Sequence, residues 1–147
     1  MTDATAAATP PPSLVVGVLC TGVGGALGAV ARWLLISVSP VEADRFPRTT
    51  FLINVVGSGL LAALPLLGAV HRQPWVALLI GTGVLGGFTT MSAASAETFA
   101  LFEHGHLVVG LAYSLGTLTA ALLAVLAAER FSTTDQRRDV ERLEGDL

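Results

Sequence analysis

The sequence has no lysine, a single cysteine and few charged residues, and each shortage excludes a class of protein. Charged residues make up 13% of the chain, whereas a soluble domain normally carries about 25%. Without lysine and without a basic patch, no nucleic-acid partner is expected. The lone Cys20 cannot form an internal disulfide and has no metal-ligand spacing around it. These shortages point to an integral membrane protein in which Cys20 is a small buried apolar residue.

Apolar residues are abundant, at 52% of the chain, and they fall into four runs. Runs of about 20 residues cross the hydrocarbon core of a bilayer as helices. We therefore predict an all-α integral membrane fold, with four transmembrane helices in one domain over residues 14–128. The predicted spans are residues 14–38, 49–70, 75–102 and 107–128. Residues 1–13 are predicted to be a disordered tail without the basic start of a secretory signal, and residues 129–147 a charged C-terminal tail.

The third run is too long for a straight helix. It has 28 residues, Trp75 to Phe102, and would measure about 42 Å against a core of roughly 30 Å. Gly86-Gly87 followed by Thr89-Thr90 favours a break in the helix at mid-membrane, where the released carbonyls must line protein, water or an ion. The alternative is a packing face of small residues, which bring membrane helices close together.

Single residues in the other spans are also informative. Gly24 and Gly28 form a GxxxG pattern, which indicates close helix packing. Arg32 either extends to the membrane interface or faces inward and attracts an anion at a pore mouth. Asn54 is costly in lipid, so it forms an interhelical hydrogen bond or lines a polar path. Pro65 predicts a kink in the second span.

The fourth span carries Tyr113 and Thr117, which share a helix face, with Ser114 on an adjoining face. Such hydroxyls solvate an anion step by step, or they hydrogen-bond their own helix and do nothing more. Because four short helices enclose little volume, a water-filled path is expected to need at least two copies.

Three segments together carry a family signature: GGALGAVARW at residues 24–33, TTFLINVVGSGLL at 49–61 and GTGVLGGFTTMSAASAE at 81–97. The sequence resembles the CrcB/Fluc family of fluoride channels over all four spans. The resemblance implies a multi-pass plasma-membrane protein that gives passive fluoride efflux and lowers cytoplasmic fluoride. It also implies an antiparallel dimer with two fluoride pathways and a structural sodium ion at its centre, so the expected partners are fluoride, membrane lipid and a second chain.

The family's functional residues map onto matching positions of this sequence. The resemblance implies that the backbone carbonyls of Gly86 and Thr89 hold the sodium ion. It places Arg32 at the pore mouth. The residues that it assigns to the fluoride pathway are Asn54, Met91, Ser92, Ala94, Tyr113 and Thr117.

One departure from the family pattern concerns the pathway itself. The family usually reads TTFSTF, and its two phenylalanines offer ring edges to fluoride; this chain reads TTMSAA, with Met91 and Ala94 at those places. Ring edges carry positive partial charge, which a thioether or a methyl group does not supply. This leaves open a non-conducting or partner-dependent subunit of a heterodimeric channel.

Two other functions are disfavoured by the residues themselves. A small four-span multidrug exporter needs a carboxylate in its first span, and residues 14–38 have none. The sequence Gly57-Ser58-Gly59 resembles a serine-protease motif, but no predicted span holds a histidine to activate the hydroxyl, so we expect no enzyme.

The distribution of arginine predicts the orientation of the chain. With four spans, the side of the membrane that holds both termini carries five arginines, and the other side carries two, Arg45 and Arg48. By the positive-inside rule, both termini are expected in the cytoplasm. Because an antiparallel homodimer needs both orientations from one sequence, this bias favours a non-identical partner.

Overall fold

The computed structural model describes residues 12–39, 45–67, 70 and 73–145, with the backbone alone for residues 131–145. Every regular element in this part of the chain is a helix. Four helical segments are long and apolar enough to cross a membrane: Leu14–Val38, Arg48–Leu66, Pro74–Glu103 and Leu107–Arg130. The predicted all-α architecture with four spans is therefore confirmed, while the antiparallel dimer stays a prediction.

The first two spans are regular over most of their length. Helix α1 (Leu14–Val38) begins after Ser13, whose hydroxyl accepts a hydrogen bond from the amide of Val16. Helix α2 (Arg48–Ala63) continues as a 3₁₀ turn over Leu64–Leu66. The sequence predicts a kink at Pro65, and the tighter turn contains this residue because proline has no amide hydrogen to continue the α-helix.

The third span consists of two parts. The first part, α3a, covers residues 74–88 and contains a π-helical stretch, Ala77–Leu85, between two short α-helical turns. The second part, α3b, is the α-helix Met91–Glu103. Between them, Thr89 and Thr90 have extended backbone angles. The interruption thus falls at the two threonines and not at the preceding glycines; that it lies at mid-membrane stays a prediction.

The fourth span is one unbroken helix, α4 (Leu107–Gly145), which extends through most of the predicted C-terminal tail. A turn at Gly105, with φ of 79°, connects it to α3b. The predicted disordered tail lies outside the described residues up to position 11. The same holds for residues 40–44 of the first linker and residues 71–72 of the second.

Helix packing brings the interruption against the other spans. Helix α1 packs on α3a, α2 packs on α4, and α3b also packs on α4. Gly24 and Gly28 are buried where α1 meets α3a, and a Cβ built on Gly28 would lie 2.8 Å from the backbone nitrogen of Phe88. The close packing predicted from GxxxG is confirmed. It holds α3a against α1, while α2 lies beside the end of α3a.

Candidate functional site

Both the nitrogen and the oxygen of the Asn54 side-chain amide, on α2, hydrogen-bond the backbone where the third span is interrupted. Its Nδ2 donates to the carbonyl of Thr90 at 3.0 Å, and its Oδ1 accepts from the amide of Thr90 at 2.8 Å. Asn54 is 8% exposed and Thr90 is 7% exposed. A carboxamide is both donor and acceptor, so it satisfies both polar groups of a peptide that has left the helix. Asn54 therefore forms the interhelical hydrogen bond that was one of its two predicted roles.

The same arrangement removes helical donors from two carbonyls. In a continuous helix the amide of Thr90 would donate to Gly86, and the amide of Ala93 would donate to Thr89. The Thr90 amide instead donates to Asn54, and the Ala93 amide donates to the hydroxyl of Thr90 at 3.1 Å. The carbonyls of Gly86 and Thr89 thus lose these donors. Backbone oxygens of this kind suit a hard monovalent cation, so these two residues fit the predicted sodium ligands.

Arg32 connects α1 to the same region. Its Nε donates to the carbonyl of Gly87 at 3.2 Å, and the side chain is partly buried. In the single chain, this nitrogen binds the backbone of α3a just before the interruption. Arg32 therefore helps hold α1 against α3a, whatever its remaining N–H groups contact.

Glu97 on α3b joins three helices through its carboxyl group. Its Oε1 accepts from the hydroxyl of Thr50 at 2.7 Å, and its Oε2 accepts from the hydroxyl of Tyr113 at 2.5 Å. Tyr113 is completely buried, and the ring of Phe46 meets its ring edge to face, with centroids 5.2 Å apart. The sequence interpretation gave Glu97 and Thr50 no role. A signal was present, because an ionisable residue inside a span marks a functional site by default.

A cavity of about 430 Å³ lies beside the interruption. The α2 helix and the threonines of the interruption contribute Asn54, Ser58, Thr89 and Thr90; α3b and α4 contribute Met91, Ala94, Ser95, Thr98, Ser114, Thr117, Leu118 and Ala121. No residue in this lining is charged. Its polar groups are a carboxamide and hydroxyls, which are hydrogen-bonding groups suited to a small ion or water.

The cavity brings together only part of the predicted pathway. Asn54, Met91, Ala94 and Thr117 line it, whereas Ser92 and Tyr113 do not. Met91 is 70% exposed in the single chain and Ala94 is 6% exposed. The hydroxyl of Ser92 lies 3.2 Å from that of Thr90. Within the described residues, no group of three or more His, Cys, Asp or Glu side chains could hold a metal ion.

Four helices that are long and apolar enough to span a membrane define a multi-pass helical membrane protein, and three of the spans line a cavity without charged residues. The family described as CrcB-like protein, Camphor Resistance (CrcB), matches residues 19–128. The chain belongs to this family, which confirms the resemblance read from its three motifs.

Curated relatives extend the comparison over most of the chain. Fluoride-specific ion channel FluC 1 of Mycobacterium bovis is 43% identical over 110 residues, which cover 69% of this chain and 79% of the relative. FluC of Rhizobium meliloti is 39% identical over 117 residues, which cover 75% and 90%. FluC 1 of Halobacterium salinarum is 40% identical over 124 residues, which cover 84% and 95%. Each of these relatives is named a fluoride-specific ion channel.

Proposed function

We propose that the chain is a subunit of a fluoride-specific channel, which lets fluoride leave the cytoplasm passively across the plasma membrane and so lowers cytoplasmic fluoride. The observation that carries the proposal is the cavity beside the interrupted helix, whose lining holds an amide and hydroxyls and no charged side chain. Neutral N–H and O–H donors replace part of the hydration shell of a small anion, and no carboxylate in the lining repels it. The names of the relatives support fluoride as that anion.

The proposed fluoride path runs through the cavity, along Asn54, Met91, Ala94 and Thr117. Ser92 and Arg32 carry donors outside the cavity lining, and we assign them to the path beyond it, with Arg32 at the mouth. Tyr113 gives its one hydroxyl hydrogen to Glu97. Tyr113 therefore donates a hydrogen bond to fluoride only when that hydroxyl turns away from the carboxylate.

We also propose a structural sodium ion at the carbonyls of Gly86 and Thr89, in a dimer with a second, antiparallel chain. The Thr90 and Ala93 amides donate to Asn54 and to the Thr90 hydroxyl instead of to these carbonyls. This supports the cation, since carbonyls within a membrane need a partner. Gly86 and Met91 are exposed in the single chain, which supports a second chain over this face. A bound sodium ion would supply positive charge that holds these carbonyls together.

Partner dependence is the second candidate function. Met91 and Ala94 both line the cavity, and neither offers an aromatic ring edge to an anion. A non-identical chain that brings phenylalanines to the shared path would compensate for this. In that case the chain alone would not conduct, or would conduct poorly.

The test is fluoride efflux from proteoliposomes that contain the purified full-length chain alone, followed with a fluoride electrode and compared with chloride efflux. We expect fluoride efflux far above that of protein-free vesicles, and little chloride efflux. Asn54→Asp should abolish it, because a carboxylate adds negative charge to an anion path and cannot donate to the Thr90 carbonyl. Ser37→Ala, on the exposed face of α1, is the control. Unchanged flux in Asn54→Asp would remove Asn54 from the path.

A further inference from the structure

The hydroxyls that line the cavity differ in whether their hydrogen is already used. The hydroxyl of Thr98 donates to the carbonyl of Ala94 at 2.8 Å, and that of Thr117 donates to the carbonyl of Tyr113 at 2.6 Å. A threonine hydroxyl has one hydrogen, so a hydroxyl that bonds its own helix has none left for a ligand. Thr98 and Thr117 therefore line the cavity without offering it a donor.

The amide of Asn54 is also engaged. Its oxygen and one of its two N–H groups bind the backbone of Thr90, which leaves a single hydrogen at most for a ligand. The pathway residue singled out by sequence thus has mainly a structural task in this arrangement. The main donors for a ligand must come from other side chains of the lining.

Three serines meet this requirement: Ser58 on α2, Ser95 on α3b and Ser114 on α4. Each lines the cavity, and among the described residues none of their hydroxyls takes part in a hydrogen bond. Ser58 is partly buried, while Ser95 and Ser114 are exposed in the single chain. Serine in a membrane helix commonly bonds a carbonyl of its own helix, so three hydroxyls without this bond at one cavity are available to a ligand or water.

We infer that Ser58, Ser95 and Ser114 form a hydroxyl site for a small inorganic anion, with fluoride as the ion; the choice of fluoride rests on the proposed function. Three O–H donors from three helices line one cavity, where they can bind an anion without adding charge. The sign of the ligand is supported by the start of α3b at Thr90 in the cavity wall, since the first turn of a helix carries partial positive charge. Thr117 and Thr98 instead shape the wall.

The experiment measures fluoride binding directly, apart from transport. Fluoride is titrated into the purified full-length chain in detergent and followed by ¹⁹F NMR, with sodium fixed and then varied. Ser58→Ala, Ser95→Ala and Ser114→Ala are measured singly and together, beside Ser37→Ala as the matched serine on α1. Because a hydrogen bond to a charged group contributes about 1.5–3 kcal/mol, each single variant should lose roughly 10-fold or more in fluoride affinity. Ser37→Ala should leave the fluoride affinity at the wild-type value.

The outcomes separate this site from the channel proposal. Fluoride affinity unchanged in all three single variants would show that the serines bind water only, and would overturn the site. A change in sodium affinity with fluoride affinity unaffected would overturn it in favour of a cation site. Wild-type binding that depends on the serines, without efflux from proteoliposomes, would keep the site and refute the channel. Efflux that persists in the triple variant at the wild-type rate would keep the channel and refute the site. Single variants that keep the wild-type elution volume decide the question if the triple variant does not fold.

Discussion

At the residue scale, Glu97 is held by two short hydrogen bonds. Thr50 donates to one carboxyl oxygen and Tyr113 donates to the other. A carboxylate removed from water is costly unless its oxygens have donors, and here the donors come from α2 and α4. The carboxyl group therefore links α3b to both neighbouring helices, and Glu97 is not among the residues that line the cavity.

The substitution Glu97→Gln tests this link. Glutamine has nearly the same shape but only one acceptor oxygen, so one hydroxyl loses a strong acceptor. We expect the protein to lose roughly 1–2 kcal/mol of unfolding free energy. The measurement is denaturant unfolding in detergent micelles, with the exposed Glu103→Gln at the end of α3b as the matched control. Equal stability of wild type and Glu97→Gln would mean that the carboxylate is not part of the packing.

Sequence reasoning recovered some of these residues and not others, for a physical reason. Asn54 was recognised because an amide inside an apolar run is expensive wherever it points. Its partner, the Thr90 backbone, could not be named, because the pairing joins positions 36 residues apart. Thr50 was missed since a threonine near the start of a span looks like an interfacial residue. Only the contact of α2 with α3b in the folded chain shows that it donates to Glu97.

At the element scale, backbone contact between α1 and α3a positions the interruption. Gly28 lies against the backbone of α3a, where atoms cannot move aside as flexible side chains do. By contrast, Gly22 on the same helix has nothing within 4 Å of a Cβ built on it. The two glycines thus offer a matched pair, one in contact and one in open space.

We expect Gly28→Ala to destabilise the protein by about 1–3 kcal/mol, since the added methyl overpacks a contact between two backbones. Gly22→Ala should be neutral or slightly stabilising, because alanine favours helix by about 1 kcal/mol over glycine. Unfolding of both variants in detergent checks this, and the fluoride flux of Gly28→Ala should fall along with its stability. Equal stability of the two variants would contradict the packing of α1 on α3a.

The helices themselves followed from the sequence, but the internal form of the third span did not. Length alone predicted that 28 apolar residues would not form one straight helix. The glycines were expected at the break because they loosen the backbone, yet Gly86 keeps helical angles. The extended residues are Thr89 and Thr90, whose hydroxyls bond the Leu85 carbonyl and the Ala93 amide. Those two hydrogen bonds depend on three-dimensional geometry, as does the π-helical stretch before them.

At the scale of the whole molecule, a substitution at Gly86 distinguishes an effect on the folding of one chain from an effect on the assembly of two chains. A Cβ built on it meets only the carbonyl oxygen of Gly81, at an ordinary 3.8 Å. Gly86→Val should therefore leave the helix content of the single chain unchanged. If a second chain and a sodium ion cover this position, the variant should lose dimer formation and fluoride flux.

Analytical ultracentrifugation in detergent and flux with and without sodium measure these effects. Wild-type flux is expected to fall when sodium is replaced by a large organic cation. Equal wild-type activity in sodium-free medium would count strongly against the cation at Gly86 and Thr89. A Gly86→Val protein that still forms dimers would show that the interface lies elsewhere.

The arginine count makes a further prediction about the assembled molecule, from the sequence alone. The side with both termini carries Arg72, Arg130, Arg137, Arg138 and Arg142, and the other side carries Arg45 and Arg48. Arginine in short loops sets orientation, so we expect one dominant orientation with the C-terminus in the cytoplasm. A chain with one orientation cannot form an antiparallel pair with itself, so it needs a partner inserted the other way.

The test is to express the chain alone, label a C-terminal cysteine from each side of the membrane in a Cys20→Ala background, and measure fluoride flux. A single orientation without flux, rescued by a second family member, is the expected result. Mixed orientation with normal flux from this chain alone would identify a homodimer.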